Sequence, residues 1–321
     1  MTGIHVYWTK PFTHTAPKKT DKTSKVDNLI TDLNLLLMVL SALQWRQSNG
    51  RIKLYTDPPF VAWLSGLGLT DCWDTIDDNV LTTIPDLNHA SSSGIDARIF
   101  WSAGKIFAFL EEPTPFVSLD IDLIVWCDLS AYWTGDLKFA HWEIVDKEFY
   151  GLGKQLATPK NYHFKPIWNS FPHKAANVSL VYFGNQKFKE YYAGEVLRFM
   201  RGNSIASQKA TTRPELLFAE QRMLFLCAME KGIDFGSLLN TTYDPESDTF
   251  NSLDDAVKEW DYPRLDCSQL FTHTWIYKNY LEKHRSLYER YCLRLLEFIK
   301  LANPEIYLRL SEVPILNRFF E

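Results

Sequence analysis

Paired cysteines, basic charge and long apolar runs are what this sequence is short of. Its five cysteines (Cys72, Cys127, Cys227, Cys267, Cys292) lie far apart and form no C-x-x-C pair. That argues against a disulfide framework or a cysteine zinc site and suits a reducing compartment. The 34 Lys and Arg are outnumbered by 39 Asp and Glu, giving a net charge of −5. The basic footprint that holds nucleic acid is missing, so no nucleic-acid partner is expected. The most apolar stretch, Leu33 to Leu43, is interrupted by Asn34 and Ser41 and falls short of the roughly 20 residues that span a bilayer. It reads as a buried helix, and no transmembrane segment is expected. Met1 to His5 runs directly into a strand, without the charged and then apolar pattern of a secretion signal. A cytoplasmic protein is therefore expected, and the N-x-S/T triplets at Asn177 and Asn240 are coincidental.

What is present is the composition of a folded globular chain, 46% hydrophobic with only 14 Gly and 15 Pro and no biased tract. A length of 321 residues suits one large α/β body with a C-terminal helical appendage. Ile4 to Trp8 is a β-type run, followed by a polar loop from Thr13 to Lys25 and a helix from Val26 to Trp45. Arg51 to Thr56 is a second strand stopped by Asp57-Pro58-Pro59, and Phe60 to Leu67 has helical spacing up to Gly68. This β-α-β-α rhythm argues for parallel strands with helices on both faces. Asp71 to Asp96 reads as a loop and Phe100 to Leu110 as a helix with Phe100, Phe107 and Phe109 mostly inward. Later come β-like runs at Glu148 to Gly153 and Val178 to Phe183 and helices at Gln186 to Arg201 and Glu215 to Lys231, the last ending at Gly232. Leu270 to His273 reads as a strand and Leu281 to Lys300 as a helix, broken from a final segment by Pro304.

The most informative feature is an apolar strand, Phe116 to Leu119, that breaks into Asp120-Ile121-Asp122 before a second apolar run. In a strand, residues i and i+2 point to the same side, so both carboxylates can face one point where a parallel strand ends. Ligands of open α/β sheets gather at such ends. Two close carboxylates repel each other unless a cation sits between them, and a hard divalent ion bridging to phosphate oxygens meets that need. Mn²⁺ or Mg²⁺ suits oxygen ligation. Against this, D-x-D is short and recurs by chance, most often as a solvated turn.

With this pattern the sequence resembles the GT-A glycosyltransferases, whose hallmark reads as an apolar strand, D-x-D and another apolar run. The likeness extends over most of the first 280 residues. It implies a Rossmann-type mixed sheet flanked by helices, with residues 1–279 as catalytic domain and 280–321 as a helical extension packed on it. Leu54-Tyr55-Thr56-Asp57 looks like that fold's second strand, and Lys105 lies where those enzymes often place a basic residue near the donor. Ala176 to Phe183 is similar to their N-x-G strand, with Asn177 contacting the donor sugar. Glu220-Gln221 resembles the acidic-Gln pair facing the reacting sugar. His273 looks like the late metal ligand, and Lys278 like the lysine that meets the diphosphate. Tyr7, Trp8 and Thr9 lie where the base is usually held. Two departures stand out: Ser179 replaces the Gly of N-x-G, and Thr274 to Tyr277 lacks the Gly of H-x-x-G-x-x-K, with Lys278 one position early.

The resemblance thus implies a hexosyltransferase-like enzyme that moves a sugar from a nucleotide diphosphate sugar, a UDP-sugar by preference, to a hydroxyl of a glycan or other acceptor. Asp120, Asp122 and His273 would hold Mn²⁺ or Mg²⁺. Asp120 and Lys278 would also bind the donor, and Glu220 and Asn177 would orient the sugar. Peripheral membrane association stays open, and a surface polysaccharide is the acceptor suggested by analogy. Each residue also has a plainer reading. His273 can be a core histidine, Lys105 a solvated helix residue, Asn177 a strand cap and Glu220 half of a surface pair with Arg222 or Lys231.

Three other classes compete. A phosphohydrolase of the haloacid-dehalogenase type has its D-x-D near the N-terminus followed by Gly-Thr, whereas Leu123-Ile124 follow here. A nucleotidyltransferase usually opens with a glycine-rich basic loop, and Tyr7 to Pro11 contains no glycine. A non-catalytic relative that binds nucleotide sugar or glycan shares every motif and differs only in geometry.

Overall fold

The computed structural model describes residues 1–13, 29–87, 93–145, 150, 156–203, 213–244, 249–252, 265, 267–275 and 277–320. The expected loop at Thr13 to Lys25 and the β-like run at Glu148 to Gly153 lie almost wholly outside them. The chain forms two compact units. One contains Met1–Asn79, Leu119–Ala131 and Glu259–Glu321, the other Val80–Ser118 and Tyr132–Lys258.

In the first unit, strands Thr2–Val6, Ile52–Tyr55 and Thr75–Asp77 run parallel, with Gly3 opposite Ile52 and Lys53 opposite Thr75. The third strand falls in the segment read as loop. It is three residues long and at least partly exposed along its length, so it offers no alternation to detect. The first long helix is Asp32–Ser48, and Thr31 fixes its start by accepting a hydrogen bond from Asn34 N. It begins later than the apolar spacing predicts, because a capping hydroxyl sets the boundary. Its buried side runs from Leu33 to Trp45 and packs on strand Leu123–Val125 and on helix Arg285–Ala302. The helix expected over Leu281 to Lys300 is two helices, Tyr277–Lys283 and Arg285–Ala302, separated at His284. Asn303 then caps Pro304–Leu310 by accepting from Glu305 N and Ile306 N, both at 3.1 Å.

In the second unit, Leu137–Phe139 pairs antiparallel with Leu180–Phe183 and parallel with Phe235–Ser237. A smaller sheet orders Thr249–Ser252, Thr241–Asp244, Trp142–Ile144 and Lys174–Ala176. Helix Ala103–Glu111 packs on Gln186–Met200, which Asn185 caps at Phe188 N. The helix expected from Glu215 starts at Arg213 and ends at Lys231 before Gly232, whose φ of 59° is the left-handed closure that glycine favours. Its middle, Phe218–Arg222, is one π-helical turn, a local widening that the sequence pattern does not announce. Strands flanked by helices in both units make this the α/β protein expected.

Candidate metal and donor site

Strand Phe116–Leu119 is buried throughout, and the chain then turns. Asp120 to Asp122 do not continue the strand. Leu123 N–H donates to Asp120 O at 3.0 Å and closes a turn that leads into strand Leu123–Val125. The expected i, i+2 strand geometry is thus corrected, since the two carboxylates converge through a turn. Strand Leu123–Val125 pairs antiparallel with Phe271–His273, which sets His273 opposite Leu123. Thr274 N–H donates to Asp122 O at 3.0 Å and fixes that register beside the turn.

The result is a cluster of three ligand atoms, one each from Asp120, Asp122 and His273, within 4.8 Å of one another. His273 Nε2 lies 3.6 Å from Asp122 Oδ1 and 3.9 Å from Asp120 Oδ2, too far for a hydrogen bond. That nitrogen is buried and has no hydrogen-bond partner. A polar atom left bare at such a place is costly, and a shared cation removes the cost. Two carboxylates and an imidazole are also a donor set that Mn²⁺ or Mg²⁺ accepts. The residues therefore fit a divalent ion.

Lys278 completes the surroundings, with Nζ 2.9 Å from Asp122 Oδ2 and 2.7 Å from Asn34 Oδ1. The two oxygens of Asp122 thus face different partners, Oδ1 the imidazole and Oδ2 the ammonium. Burial opposes ionisation of Asp122, but Lys278 and then His273 outweigh it and hold the carboxyl well below the usual carboxylate range. Replacing Lys278 by Met leaves that carboxylate poorly compensated. Urea melts of Lys278→Met at neutral pH are expected to show a loss of roughly 1–2 kcal/mol, less than for breaking a fully buried pair because both groups keep some contact with solvent. An unchanged midpoint would mean that the pair contributes nothing. Trp275 stacks on His273, the rings within 2° of parallel and their centroids 5.7 Å apart.

Of the residues expected around the base, Tyr7 and Trp8 are almost fully buried, at 7% and 5% exposure. The Tyr7 hydroxyl donates to Leu29 O at 2.6 Å, and burial pushes its phenol pKa up. Thr9 donates through N and Oγ1 to Asp57 Oδ2 at 3.0 and 2.7 Å, leaving Asp57 Oδ1 buried without a partner. The polar group at this place is Asp57, read in the sequence only as part of a strand end.

Lys105, Asn177 and Glu220 all fall in the second unit. Lys105 Nζ pairs with Glu220 Oε1 at 2.7 Å, and the glutamate is buried rather than on the surface. Glu220 and Gln221 sit in the π-helical turn rather than at a helix start. Asn177 lies between strands Lys174–Ala176 and Leu180–Phe183. Its Oδ1 accepts from Ser179 N at 3.1 Å and Oγ at 2.5 Å, and its Nδ2 donates to Glu143 Oε1 at 2.5 Å. Ser179, the departure from N-x-G, thus tightens the turn through its hydroxyl. Tyr150 OH lies between the Glu143 carboxylate and Gln221 Oε1, 2.5 Å from the latter. Neither Glu143 nor Tyr150 stands out in the sequence, because nothing local marks a buried carboxylate. Asn177→Ala would remove one donor to Glu143 Oε1 and the acceptor that Ser179 N and Oγ share, and an expected loss of about 2 kcal/mol in chemical unfolding follows. A variant as stable as the parent would show that Asn177 carries no structural role.

The fold and site define an α/β protein with a candidate Asp-Asp-His cation centre and an adjoining lysine. The chain belongs to the family described as "Family of unknown function (DUF6734)", whose model matches residues 1–313. No curated protein matches it. Among solved structures it is similar to the apo form of the glycosyltransferase GlyE of Streptococcus pneumoniae TIGR4, at 14% identity and a TM-score of 0.35 over 73% of this chain and 44% of that one. It is also similar to the bifunctional glycosyltransferase WbbM, at 10% identity and 0.35 over 68% and 37%. A third is mouse xyloside xylosyltransferase 1, at 8% identity and 0.33 over 74% and 85%. This chain spans less than half the length of the first two proteins. At such TM-scores the functional reading rests on the residues of the site. No helix among the described residues is long and apolar enough to cross a membrane.

Proposed function

We propose that this protein is a metal-dependent glycosyltransferase that uses a nucleotide diphosphate sugar, a UDP-sugar by preference, and a hydroxyl acceptor such as a glycan. The observation that carries the reading is the Asp120, Asp122 and His273 cluster with a bare, buried His273 Nε2 at its centre. Asp122 Oδ1, an Asp120 oxygen and His273 Nε2 would hold Mn²⁺ or Mg²⁺, leaving Asp122 Oδ2 for Lys278. When bound, the ion neutralises charge on a departing diphosphate. Lys278 adds a fixed positive charge beside the same carboxylate, and Asn34 limits where its ammonium can go. The base would be held near Tyr7, Trp8 and Thr9. Lys105, Asn177 and Glu220 would serve the donor sugar, within a catalytic body of residues 1–279 extended by 280–321.

The test is a panel of nucleotide diphosphate sugars incubated with the protein and Mn²⁺, Mg²⁺ or chelator, reading nucleotide diphosphate release and melting temperature. Release with one donor that stops on chelation is expected, together with a melting temperature that rises with donor concentration. If every sugar nucleotide leaves both readouts unchanged with both ions, the reading is wrong.

A further inference from the structure

His5 sits in strand Thr2–Val6 with no exposed surface, and the reaction proposed above does not use it. Both of its ring nitrogens are engaged. Trp73 Nε1, a group that can only donate, reaches Nδ1 at 3.3 Å. Nδ1 is therefore the bare nitrogen, and Nε2 carries the proton. Nε2 lies 3.0 Å from Ser41 Oγ, and the Ser41 hydroxyl donates to Leu123 O at 2.5 Å. The hydrogen bonds all run one way, from Trp73 through His5 and Ser41 to Leu123. Burial, opposed by the charge of Asp122, lowers the imidazole pKa to about 3, so the ring stays neutral and the direction holds at neutral pH.

Leu123 is where the cation site is assembled. Its N–H closes the Asp120 turn, and His273 is its partner across the sheet. Because Thr274 N–H bonds to Asp122 O, the Leu123 and His273 pair is the non-hydrogen-bonded kind, and the Leu123 carbonyl points away from the His273 strand. It points to helix Asp32–Ser48, where Ser41 meets it. We infer that Trp73, His5 and Ser41 form a positioning relay that pins the Leu123 carbonyl and thereby sets the spacing of Asp120, Asp122 and His273. The inference rests on the metal reading of that cluster, but its backbone consequence can be measured separately.

The experiment compares Ser41→Ala with Val39→Ala, a buried cavity variant two positions away and so on the opposite side of the same helix. Titration with Mn²⁺ alone is expected to show about tenfold or weaker binding for Ser41→Ala, the lower end of losses seen when an outer partner of a ligand is removed. At a matched fall in melting temperature, the Leu123 amide is expected to exchange faster in Ser41→Ala than in Val39→Ala. Trp73→Phe keeps Ser41 and removes the donor that fixes the tautomer, and it is expected to weaken Mn²⁺ binding in the same direction. The relay is overturned if Ser41→Ala and Val39→Ala match in Leu123 exchange, or if nitrogen chemical shifts show the His5 proton on Nδ1. Should the parent protein bind no Mn²⁺, the metal reading fails, and Leu123 exchange and the His5 tautomer still decide the relay.

Discussion

Asp122→Asn is expected to lower Mn²⁺ affinity by at least about 100-fold while the protein still melts cooperatively, the upper end of what losing an outer-shell partner costs. The substitution keeps the shape of the side chain and removes its charge. Asp122 is the group that matters most because its two oxygens face His273 and Lys278, at 3.6 and 2.9 Å. Its carboxylate is held ionised against the cost of burial, so a ligand atom is ready without deprotonation throughout the neutral range. The neutral amide would leave Asp120 and His273 as two ligands, too few to compete with water. Lys278 would keep its bond to Asn34, so the fold has no unpaired buried cation to expel. Isothermal titration with Mn²⁺ at pH 7 checks this, and equal affinities in parent and variant would remove Asp122 from the site.

Acid should weaken the protein well before its carboxylates titrate, by about 2 kcal/mol at pH 5, and His5 should account for it. The His5 pKa is depressed from 6.5 to about 3 by burial. The folded state keeps the ring neutral, whereas the unfolded chain binds a proton below about pH 6.5. Stability from this group is therefore complete above that value and declines as pH falls toward 3. Asp122 acts in another window. Its folded pKa is depressed too, but for an acid this means that its contribution persists down to the ordinary carboxylate range and is lost only at lower pH. Urea melts at pH 7.5 and pH 5 should thus differ in the parent and differ much less in His5→Gln, which cannot titrate. The same pH slope in both proteins would assign the acid sensitivity elsewhere.

The relation between sequence and site differs from one residue to the next. The strand Ile52–Tyr55, the helix ends just before Gly68 and Gly232, and the apolar strand before Asp120 were legible because each is written in neighbouring residues. That the two Asp carboxylates converge was legible, but the geometry that brings them together was misread. Alternation along a strand and a tight turn both bring residues i and i+2 together, and only the Leu123 to Asp120 hydrogen bond separates them. The break at His284 and the π-helical turn at Phe218–Arg222 left no trace, since apolar spacing fixes a helix face without fixing each hydrogen bond along it.

By itself the sequence determined many of the strands and helices and that the chain folds as an α/β protein, and it singled out Asp120, Asp122, His273 and Lys278, of which the first three offer ligand atoms within 4.8 Å of one another. Local propensity and side-chain periodicity act over a few residues, so those features follow from composition in a short window. Tertiary structure alone decided that strand Phe271–His273 docks beside Leu123, that Asn34 and Asp122 share Lys278, and that a buried His5 stands behind the turn. Each of these depends on sheet register and packing between distant segments, where a slip of one residue reverses every side chain and changes the partner.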